Sequence, residues 1–280
     1  MRPAWGVATG ALTVSASAVL IELSGTAPGT ASFYRCLLAL PPLAVLAARE
    51  RAGAASRADV VRAALAGVFF AGDSLLWTQA IGEVGAGLST VLVNLQVVIV
   101  PLIAWLVDRE RVPPRYLLAV VLVLPGVVLA AGLTGGSTGP APLAGAIHAS
   151  LAALCYSAFL FLLRRGGQDG RTRRPYFVVT ASAAIVSAIA GLLGYGLDLA
   201  PGWAAIGWLV LVAVSGQVLG WLLVAVGAPR LPSHVGAVLL LLTPVGAVVL
   251  GALVLGERLS PSQLIGCALV LTGAVVAARR

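Results

Sequence analysis

Two charged side chains lie inside long apolar stretches of this chain and are the first candidates for chemistry. Arg35 lies near the start of the apolar run 28–48. Asp73 lies in the run 59–81, one helical turn before Trp77 and on the same face. If both runs cross a membrane in opposite directions, the two charges lie at one depth, roughly 10 Å below the same boundary. An arginine there costs at least ~2.5 kcal/mol unless it is paired or hydrated. The two residues therefore form either a structural ion pair or the charged lining of a substrate or proton path.

An internal repeat relates the first part of the chain to the second. The segment 89–131 recurs as 236–278, and the alignment of Glu110-Arg111 with Glu257-Arg258 needs no gap. From 110 to 131, 11 of 22 positions are identical, and they include a matched Glu-Arg, Pro and Gly that apolar composition does not explain. Each copy is predicted to form an apolar helix, a tight charged turn and a second apolar helix.

The repeat sets several polar and aromatic residues in pairs. Gln96 aligns with Thr243 and, at a slightly different offset, Asp73 and Trp77 align with Gln217 and Trp221. Polar residues paired in this way favour the lining of a central cavity, although an interhelical hydrogen bond is the alternative for Gln96. Pro101 and Pro244 each lack a helical N–H and are predicted to kink their helices near these positions. The predicted substrate-binding residues are Arg35, Asp73, Trp77, Gln96, Gln217, Trp221 and Thr243.

Three ionisable residues are candidates for proton coupling, namely Asp73, Glu22 and His148. Glu22 lies near the outer end of the first apolar run, where water is expected to reach it. A single histidine on an apolar helix is either a hydrogen-bonded packing residue or a proton relay, and its titration range keeps His148 a candidate. The three cysteines all lie inside apolar runs and are expected to be small packing residues, not a disulfide framework.

Composition indicates that these residues lie in a membrane. The chain has 280 residues, of which 60% are hydrophobic and 10% charged, whereas a soluble domain has about 25% charged residues. Its apolar runs are each about long enough to span roughly 30 Å of hydrocarbon. The predicted fold is an all-α integral membrane protein with ten transmembrane helices in two five-helix repeats. The predicted helices are about 4–24, 28–48, 59–81, 85–107, 114–132, 142–163, 175–197, 203–226, 233–255 and 261–279.

The arginines predict the orientation of the helices. All 18 basic residues are arginines, and 16 lie at the termini, at Arg230 or in the alternate loops 49–62, 107–115 and 164–174. The positive-inside rule places these loops and both termini in the cytoplasm. The net charge of +8 is therefore a signal of topology, and nucleic-acid binding is not expected.

Five helices per half require the two halves to insert with opposite topology. The predicted halves are 1–134 and 142–280, joined by an external Gly-, Ser- and Thr-rich linker. An inverted repeat has a pseudo-two-fold axis in the membrane plane, which favours two related states that open to either side of one site.

Two local signals predict how helices pack and begin. Gly6 and Gly10 form a G-x-x-x-G pattern that lets another helix approach closely. Ser260 is predicted to cap the last helix, with Pro261 at its first position and Gln263 completing a capping box. The glutamate before each repeat's second helix is predicted to be structural, accepting from backbone donors or pairing with the partner loop.

A set of short motifs, spread over both halves in a fixed order, carries a family resemblance. These are Trp5-Gly6, Arg35, the segment from Leu95-Gln96 to Glu110-Arg111, Gly126, Thr243-Pro244, Gly256-Glu257-Arg258 and Gly273. By these motifs the chain resembles the drug/metabolite transporter superfamily, and within it the ten-helix EamA-type branch. Two positions depart from the family pattern: Val97 stands where the family often has proline, and Asp108-Arg109 replaces the usual Leu-Gly. The resemblance implies alternating-access transport of small metabolites or drugs, commonly export, by a helical bundle with a central cavity.

The expected function is secondary active transport of a small metabolite or drug, amino-acid-like or amphipathic, in the export direction. The alternative is a channel or a non-transporting membrane scaffold protein, which would not explain kinked helices with polar residues. An enzyme is not expected, because the sequence shows no paired catalytic carboxylates, metal cluster or Ser-His-Asp set. The missing nucleotide-binding loop argues against a primary pump.

The expected partners are a small-molecule substrate and membrane lipid, with no nucleic acid, cofactor or metal. The expected location is the cell membrane, as a multi-pass protein. The sequence leaves open whether two copies form a homodimer.

Overall fold

The structure is a computed structural model that describes residues 3–50, 56–109, 115–130, 139–166, 172–231 and 239–278. In this part of the chain it is almost entirely helical. The helices of the first half are α1 (Pro3–Ser24), α2 in two segments (Pro28–Leu37 and Leu40–Ala48), α3 (Arg57–Val84), α4 in two segments (Ala86–Val93 and Gln96–Asp108) and α5 (Arg115–Ala130).

The second half has the same order of elements. Its helices are α6 (Pro142–Gly166), α7 (Arg173–Ala190, continued by the π-helical turn Gly191–Tyr195), α8 (Trp203–Leu211, the π-helical stretch Val212–Gly220, Trp221–Gly227 and the 3₁₀ turn Ala228–Arg230), α9 (Leu242–Leu250, continued by the π-helical turn Gly251–Leu255) and α10 (Pro261–Ala278).

Most of these helices are long and apolar enough to cross a membrane. Among the described residues, α1, α2, α3, α4, α6, α7 and α8 meet both conditions, and α9 and α10 contain shorter apolar helices. Every predicted span contains a helix, so the predicted all-α membrane fold is confirmed. The linker at 131–138, in which the predicted boundary 134 falls, and the turn Glu110-Arg111 lie outside the described residues.

Equivalent helices of the two halves run antiparallel, which α2 and α7 show at both of their ends. At the start of α2, the backbone N–H of Thr30 donates to the carbonyl oxygen of Gly196, just after α7, over 3.0 Å. At the end of α2, Glu50 accepts from the backbone N–H groups of Thr172, Arg173 and Arg174, which open α7. The start of each helix therefore meets the end of the other, as inverted topology requires.

The packing of the other helices follows the same pseudo-symmetry. Helix α1 packs along α8 while α6 packs along α3, and α4 and α5 pack against their own equivalents α9 and α10. Exchanging the two halves leaves this set of neighbours unchanged.

Glycines allow α1 and α8 to pack closely. A Cβ atom on Gly10 would lie 2.7 Å from the carbonyl oxygen of Gly220, so α1 and α8 meet there almost backbone to backbone. No atom comes within 4 Å of a Cβ placed on Gly6. The predicted close approach is therefore found at the second glycine of the pattern.

Helix α4 is interrupted beside Gln96, upstream of Pro101. The backbone N–H groups of Asn94 and Leu95 bond to the carbonyls of Val91 and Leu92, three residues back, which tightens the turn. The carbonyl of Thr90 is left without its usual helical donor and accepts from the side-chain amide of Asn94 at 2.8 Å.

The two prolines that were predicted to kink their helices lie at different places in them. Pro101 lies within the second segment of α4, whereas Pro244 lies in the first turn of α9, where a missing N–H costs little. The turn before α9 falls at Leu241, which aligns in the repeat with Asn94. A turn therefore occurs at equivalent positions of the two halves, at Asn94 within α4 and at Leu241 just before α9.

Candidate functional site

The guanidinium of Arg35 is buried between α2 and α3 and is only partly satisfied. The residue is 3% exposed, and its Nη1 donates to the hydroxyl of Ser74 at 3.3 Å, while its Nε is fully buried without a partner. The Ser74 hydroxyl also bonds to Ser32 at 3.0 Å. The guanidinium carbon lies 5.3 Å from the centre of the Phe70 ring and 5.9 Å from that of Trp77, which are cation–π distances.

The carboxylate of Asp73 lies near Arg35 without forming an ion pair with it. Asp73 is 8% exposed, and the charge of Arg35 acts on its carboxylate, but the two side chains do not come within ion-pair distance. Cys155 of α6 packs beside this part of α3, since its sulfur would lie 3.1 Å from a Cβ atom on Gly72. The site thus holds a buried guanidinium and a buried carboxyl group, one from each of two neighbouring helices, beside residues of the second half.

An aromatic cluster lies beside these charges. The rings of Phe70 on α3 and Phe159 on α6 have centroids 4.9 Å apart, and Trp221 of α8 packs edge-on at 5.9 Å from Phe70. Tyr156 completes the cluster at 5.6 Å from Trp221. Because α3 belongs to the first half and α6 and α8 to the second, the cluster joins the two halves next to Arg35.

Hydrogen bonds link Trp77 to the interruption of α4. The indole Nε1 of Trp77 donates to the hydroxyl of Thr90 at 3.3 Å. Asn94 donates to the carbonyl of the same threonine, and Gln96 donates to the Asn94 side chain over 3.5 Å. Gln96 is 3% exposed, so the structure connects it with Trp77 through a buried polar chain.

The two other predicted lining residues, Gln217 and Thr243, bond to neighbouring helices. The amide nitrogen of Gln217, in the π-helical stretch of α8, lies 3.5 Å from the hydroxyl of Thr180 on α7, and its side-chain oxygen is buried without a partner. The backbone carbonyl of Gln217 accepts from the hydroxyl of Tyr176 at 2.9 Å. Thr243 donates to the carbonyl of Ala11 on α1 at 3.3 Å. Their place in the binding site stays a prediction.

The remaining proton-coupling candidates lie away from Arg35 and Asp73. The Nδ1 of His148, at the start of α6, lies 2.7 Å from the carboxylate of Glu83, at the end of α3. Glu83 also accepts from the side-chain amide of Gln79 at 2.8 Å. Glu22 is exposed at the end of α1 and is near enough to Glu257 for their charges to repel.

Several residues of this region have no individual signal in the sequence. Phe70, Phe159 and Tyr176 are ordinary apolar or aromatic residues of spans. Only the packing of helices brings Phe70 to Arg35 and to Phe159, and Tyr176 to Gln217. Glu83 carries a weak signal, because it ends α3 on the side of the membrane where His148 begins α6. No group of His, Cys, Asp and Glu side chains able to hold a metal ion occurs in the part of the chain that the structure describes.

The fold and the site together define a polytopic helical membrane protein built from an inverted repeat, with the unpaired ionisable groups Arg35 and Asp73 buried inside it. The sequence model of the EamA-like transporter family matches this chain twice, over residues 2–132 and 143–279. The chain belongs to that family and is a membrane transporter.

Two further comparisons agree with this assignment. The chain is 28% identical over 261 residues to an uncharacterized transporter, YcbK, of Bacillus subtilis (strain 168), a match that covers 89% of this chain and 84% of the relative. A protein of known crystal structure superposes with a TM-score of 0.69 and 20% identity over 99% of this chain and 97% of its own. At that identity the likeness concerns the fold alone.

Proposed function

We propose that this protein is a secondary active transporter that moves a small metabolite or drug across the cell membrane by alternating access. Export is the proposed direction, the substrate is amino-acid-like or amphipathic, and no catalytic reaction accompanies transport. The observation that carries the proposal is the pair of buried ionisable groups, Arg35 and Asp73, which lie on neighbouring helices without forming an ion pair. Intramembrane charges that lack a permanent partner are typical of transport pathways.

The contacts between the halves support alternating access. Glu257, after α9, bonds to the start of α4 at one end of the bundle, and Glu50, after α2, bonds to the start of α7 at the other. Both contacts join the first half to the second. If the two ends open in turn, these carboxylates are the groups that must leave and regain their backbone donors.

In the proposed mechanism the substrate binds between α2, α3 and α6. Arg35, Asp73 and Trp77 contact it, and Trp221, Gln96, Gln217 and Thr243 shape the site through the aromatic cluster and the interrupted helices. Asp73 is the first candidate for proton coupling, with Glu22 and His148 as further candidates. Asp73→Asn should then abolish proton-driven flux while leaving substrate exchange intact.

The proposed orientation places both termini in the cytoplasm. The basic loops 49–62, 107–115 and 164–174 would lie on the cytoplasmic side, and the loops 132–142 and 255–261 on the other. Reporter fusions in each loop test this arrangement. A cytoplasmic signal from a fusion after Glu257 would contradict it.

Counterflow in proteoliposomes separates the transporter from a channel. A thermal-shift screen of the purified protein against a metabolite panel supplies a ligand, because a ligand that binds the folded state raises its stability. Vesicles preloaded with that unlabelled ligand should then accumulate the labelled form transiently above its outside concentration. Equal uptake with and without preloading would favour a channel, and absence of uptake for every ligand that binds would favour a scaffold protein.

A further inference from the structure

We propose that the turn between α3 and α4, residues 83–87, is the outer gate of the transport pathway, and that the contact between Glu83 and His148 makes its opening depend on external pH. This role rests on the proposed transport function and concerns residues away from Arg35 and Asp73. The turn is named the outer turn, since the proposed orientation places it on the external side of the membrane.

Two carboxylate contacts hold the outer turn against the second half of the protein. At its start, the Oε2 of Glu83 lies 2.7 Å from the Nδ1 of His148 on α6. At its end, the backbone N–H groups of Ala86 and Gly87 donate to the carboxylate of Glu257 over 2.6 and 3.0 Å. Because these contacts come from α6 and from the segment after α9, they hold the turn from two sides. The outer turn cannot leave the second half unless both contacts break.

The chain that enters α6 also packs against the outer turn. The backbone N–H of Ala141 donates to the carbonyl oxygen of Glu83 over 3.3 Å. A Cβ atom on Gly139 would clash with the same carbonyl, and one on Gly145 would clash with the side chain of Val84. These two glycines let the start of α6 lie directly against the turn. His148 comes about one helical turn after Gly145, so its ring reaches the carboxylate of Glu83.

His148 gives this contact its dependence on pH. Histidine is the side chain that ordinarily changes its charge between about pH 5 and 8. A protonated His148 forms an ion pair with Glu83, whereas a neutral one donates a hydrogen bond without the attraction of opposite charges. The two side chains are 31% and 13% exposed, so the ion pair is less screened than one on an open surface. The other oxygen of Glu83 accepts from Gln79 at 2.8 Å, which orients the carboxylate.

Glu83 is the ionisable group that contacts His148 in the described part of the chain. Helix α4 also packs along α6, but residues 86–107 include no ionisable side chain. The next ionisable groups along the two contacting helices, Cys155 and Asp73, lie about two turns or more deeper in the bundle. A lower external pH should therefore strengthen the contact of His148 with Glu83 and keep the outer gate closed.

Access from the external side measures the opening of the gate without a known substrate. Ser74→Cys, in a chain whose three own cysteines are replaced by serine, puts a thiol beside Arg35. In vesicles of uniform orientation, a membrane-impermeant thiol reagent is added to the external side at about pH 6 and at about pH 8. At each pH, the labelling rate with His148→Gln added is divided by the rate of the parent chain. This ratio cancels the pH dependence of the thiol itself.

The chain with His148→Gln should be labelled about three- to tenfold faster than its parent at the lower pH, and within about twofold at the higher pH, because the ion pair forms when His148 is protonated. Glu83→Gln should give the same ratios, and the double variant no further increase, since all three remove one contact. The matched control is His234→Gln, which changes the other histidine of the chain and should leave the labelling rate unchanged.

A ratio that is the same at both pH values would overturn the role of His148. An increase with His234→Gln equal to that with His148→Gln would overturn it as well. If His148→Gln does not fold, the pH dependence of the Glu83→Gln ratio decides.

Failure of the gate and failure of the proposed function give different results. Counterflow of a substrate, together with labelling ratios that do not change with external pH, would overturn the pH-sensitive gate and leave transport standing. Labelling ratios that change as expected, without counterflow of any ligand that binds, would overturn transport and leave the gate standing.

Discussion

The carboxylate of Glu257, just after α9, accepts a hydrogen bond of 2.6 Å from the backbone N–H of Ala86, at the start of α4. Its second oxygen accepts from the N–H of Gly87 at 3.0 Å. A Cβ atom on Gly85 or Gly251 would lie within 2.8 Å of this carboxylate, and the φ of +91° at Gly85 also requires glycine. The glutamate is thus a helix cap supplied by the other half of the protein.

We predict that Glu257→Ala lowers the free energy of unfolding by about 1–3 kcal/mol, because two backbone donors lose their acceptor. Glu257→Gln keeps one acceptor oxygen and should cost less. The control is Glu22→Gln, which removes a nearby exposed charge. Thermal unfolding in detergent measures the stability of all three variants. A Glu257→Ala variant as stable as Glu22→Gln would show that the contact between Glu257 and the start of α4 does not stabilise the protein.

Gly10 and Gly6 give a matched pair of substitutions on one helix. Gly10→Ala places its methyl group 2.7 Å from the carbonyl oxygen of Gly220 and should destabilise by about 1–3 kcal/mol as α1 and α8 move apart. Gly6→Ala meets no atom within 4 Å and should be neutral or slightly stabilising. Equal melting temperatures for the two variants would contradict the close approach of α1 and α8.

Glu50 makes part of the stability depend on pH. Burial acts to raise the pKa of Glu50, but the backbone N–H groups of Arg173, Arg174 and Thr172 outweigh it and hold the pKa below its ordinary value of 4.5. A carboxyl group with a lowered folded-state pKa stabilises the protein above that ordinary value, and the contribution is lost as the pH falls through the lowered pKa.

Glu50→Gln should therefore cost about 1 kcal/mol at neutral pH, in line with the loss of a helix cap. The difference from wild type should shrink as the pH falls from 4.5 through the lowered pKa of Glu50, where the carboxylate of the folded protein becomes protonated. Unfolding curves from neutral to acidic pH check this. A difference that is constant over the whole range would mean that the charge of Glu50 contributes nothing.

Trp77 should matter for transport more than for folding. Its ring flanks Arg35 and its N–H bonds to Thr90, so Trp77→Ala and Gln96→Ala should reduce the rate of exchange at least about tenfold. The control is Trp105→Ala, because Trp105 is 45% exposed on the outside of α4. Exchange is measured in vesicles with equal amounts of folded protein, and wild-type rates for Trp77→Ala and Gln96→Ala would place the site elsewhere.

Much of the fold was predictable because it follows from local and repeated patterns. The apolar runs predicted every span, and the capping box at the start of α10 is present, with Ser260 and Gln263 each bonding the other's backbone N–H. Glu257 in the turn was predicted to be structural, and one of the two alternatives was that it accepts from backbone donors. In the structure it accepts from the backbone N–H of Ala86 in α4. These features depend on a few neighbouring residues or on the repeat.

The site was less predictable because it depends on side-chain directions across helices. The positions of Arg35 and Asp73 along their helices predicted that both lie at the same depth in the membrane. Depth alone does not determine whether the two side chains form an ion pair. The interruption of α4 also escaped prediction, since Asn94 supports it with its own side chain while the sequence pointed to Pro101. The role of Ser74 as the acceptor for Arg35 needs three-dimensional packing and has no counterpart in the linear pattern.

In the proposed mechanism, one buried site around Arg35 and Asp73 is reached in turn from both sides of the membrane. Ser74→Cys, in a chain with Cys36, Cys155 and Cys267 replaced by serine, puts a thiol beside Arg35. In vesicles of uniform orientation, a membrane-impermeant thiol reagent should label position 74 from either face, and the bound substrate should protect it from both. The experiment is repeated with the substrate gradient in each direction. If position 74 is labelled from the same single face in both cases, alternating access at this site is contradicted.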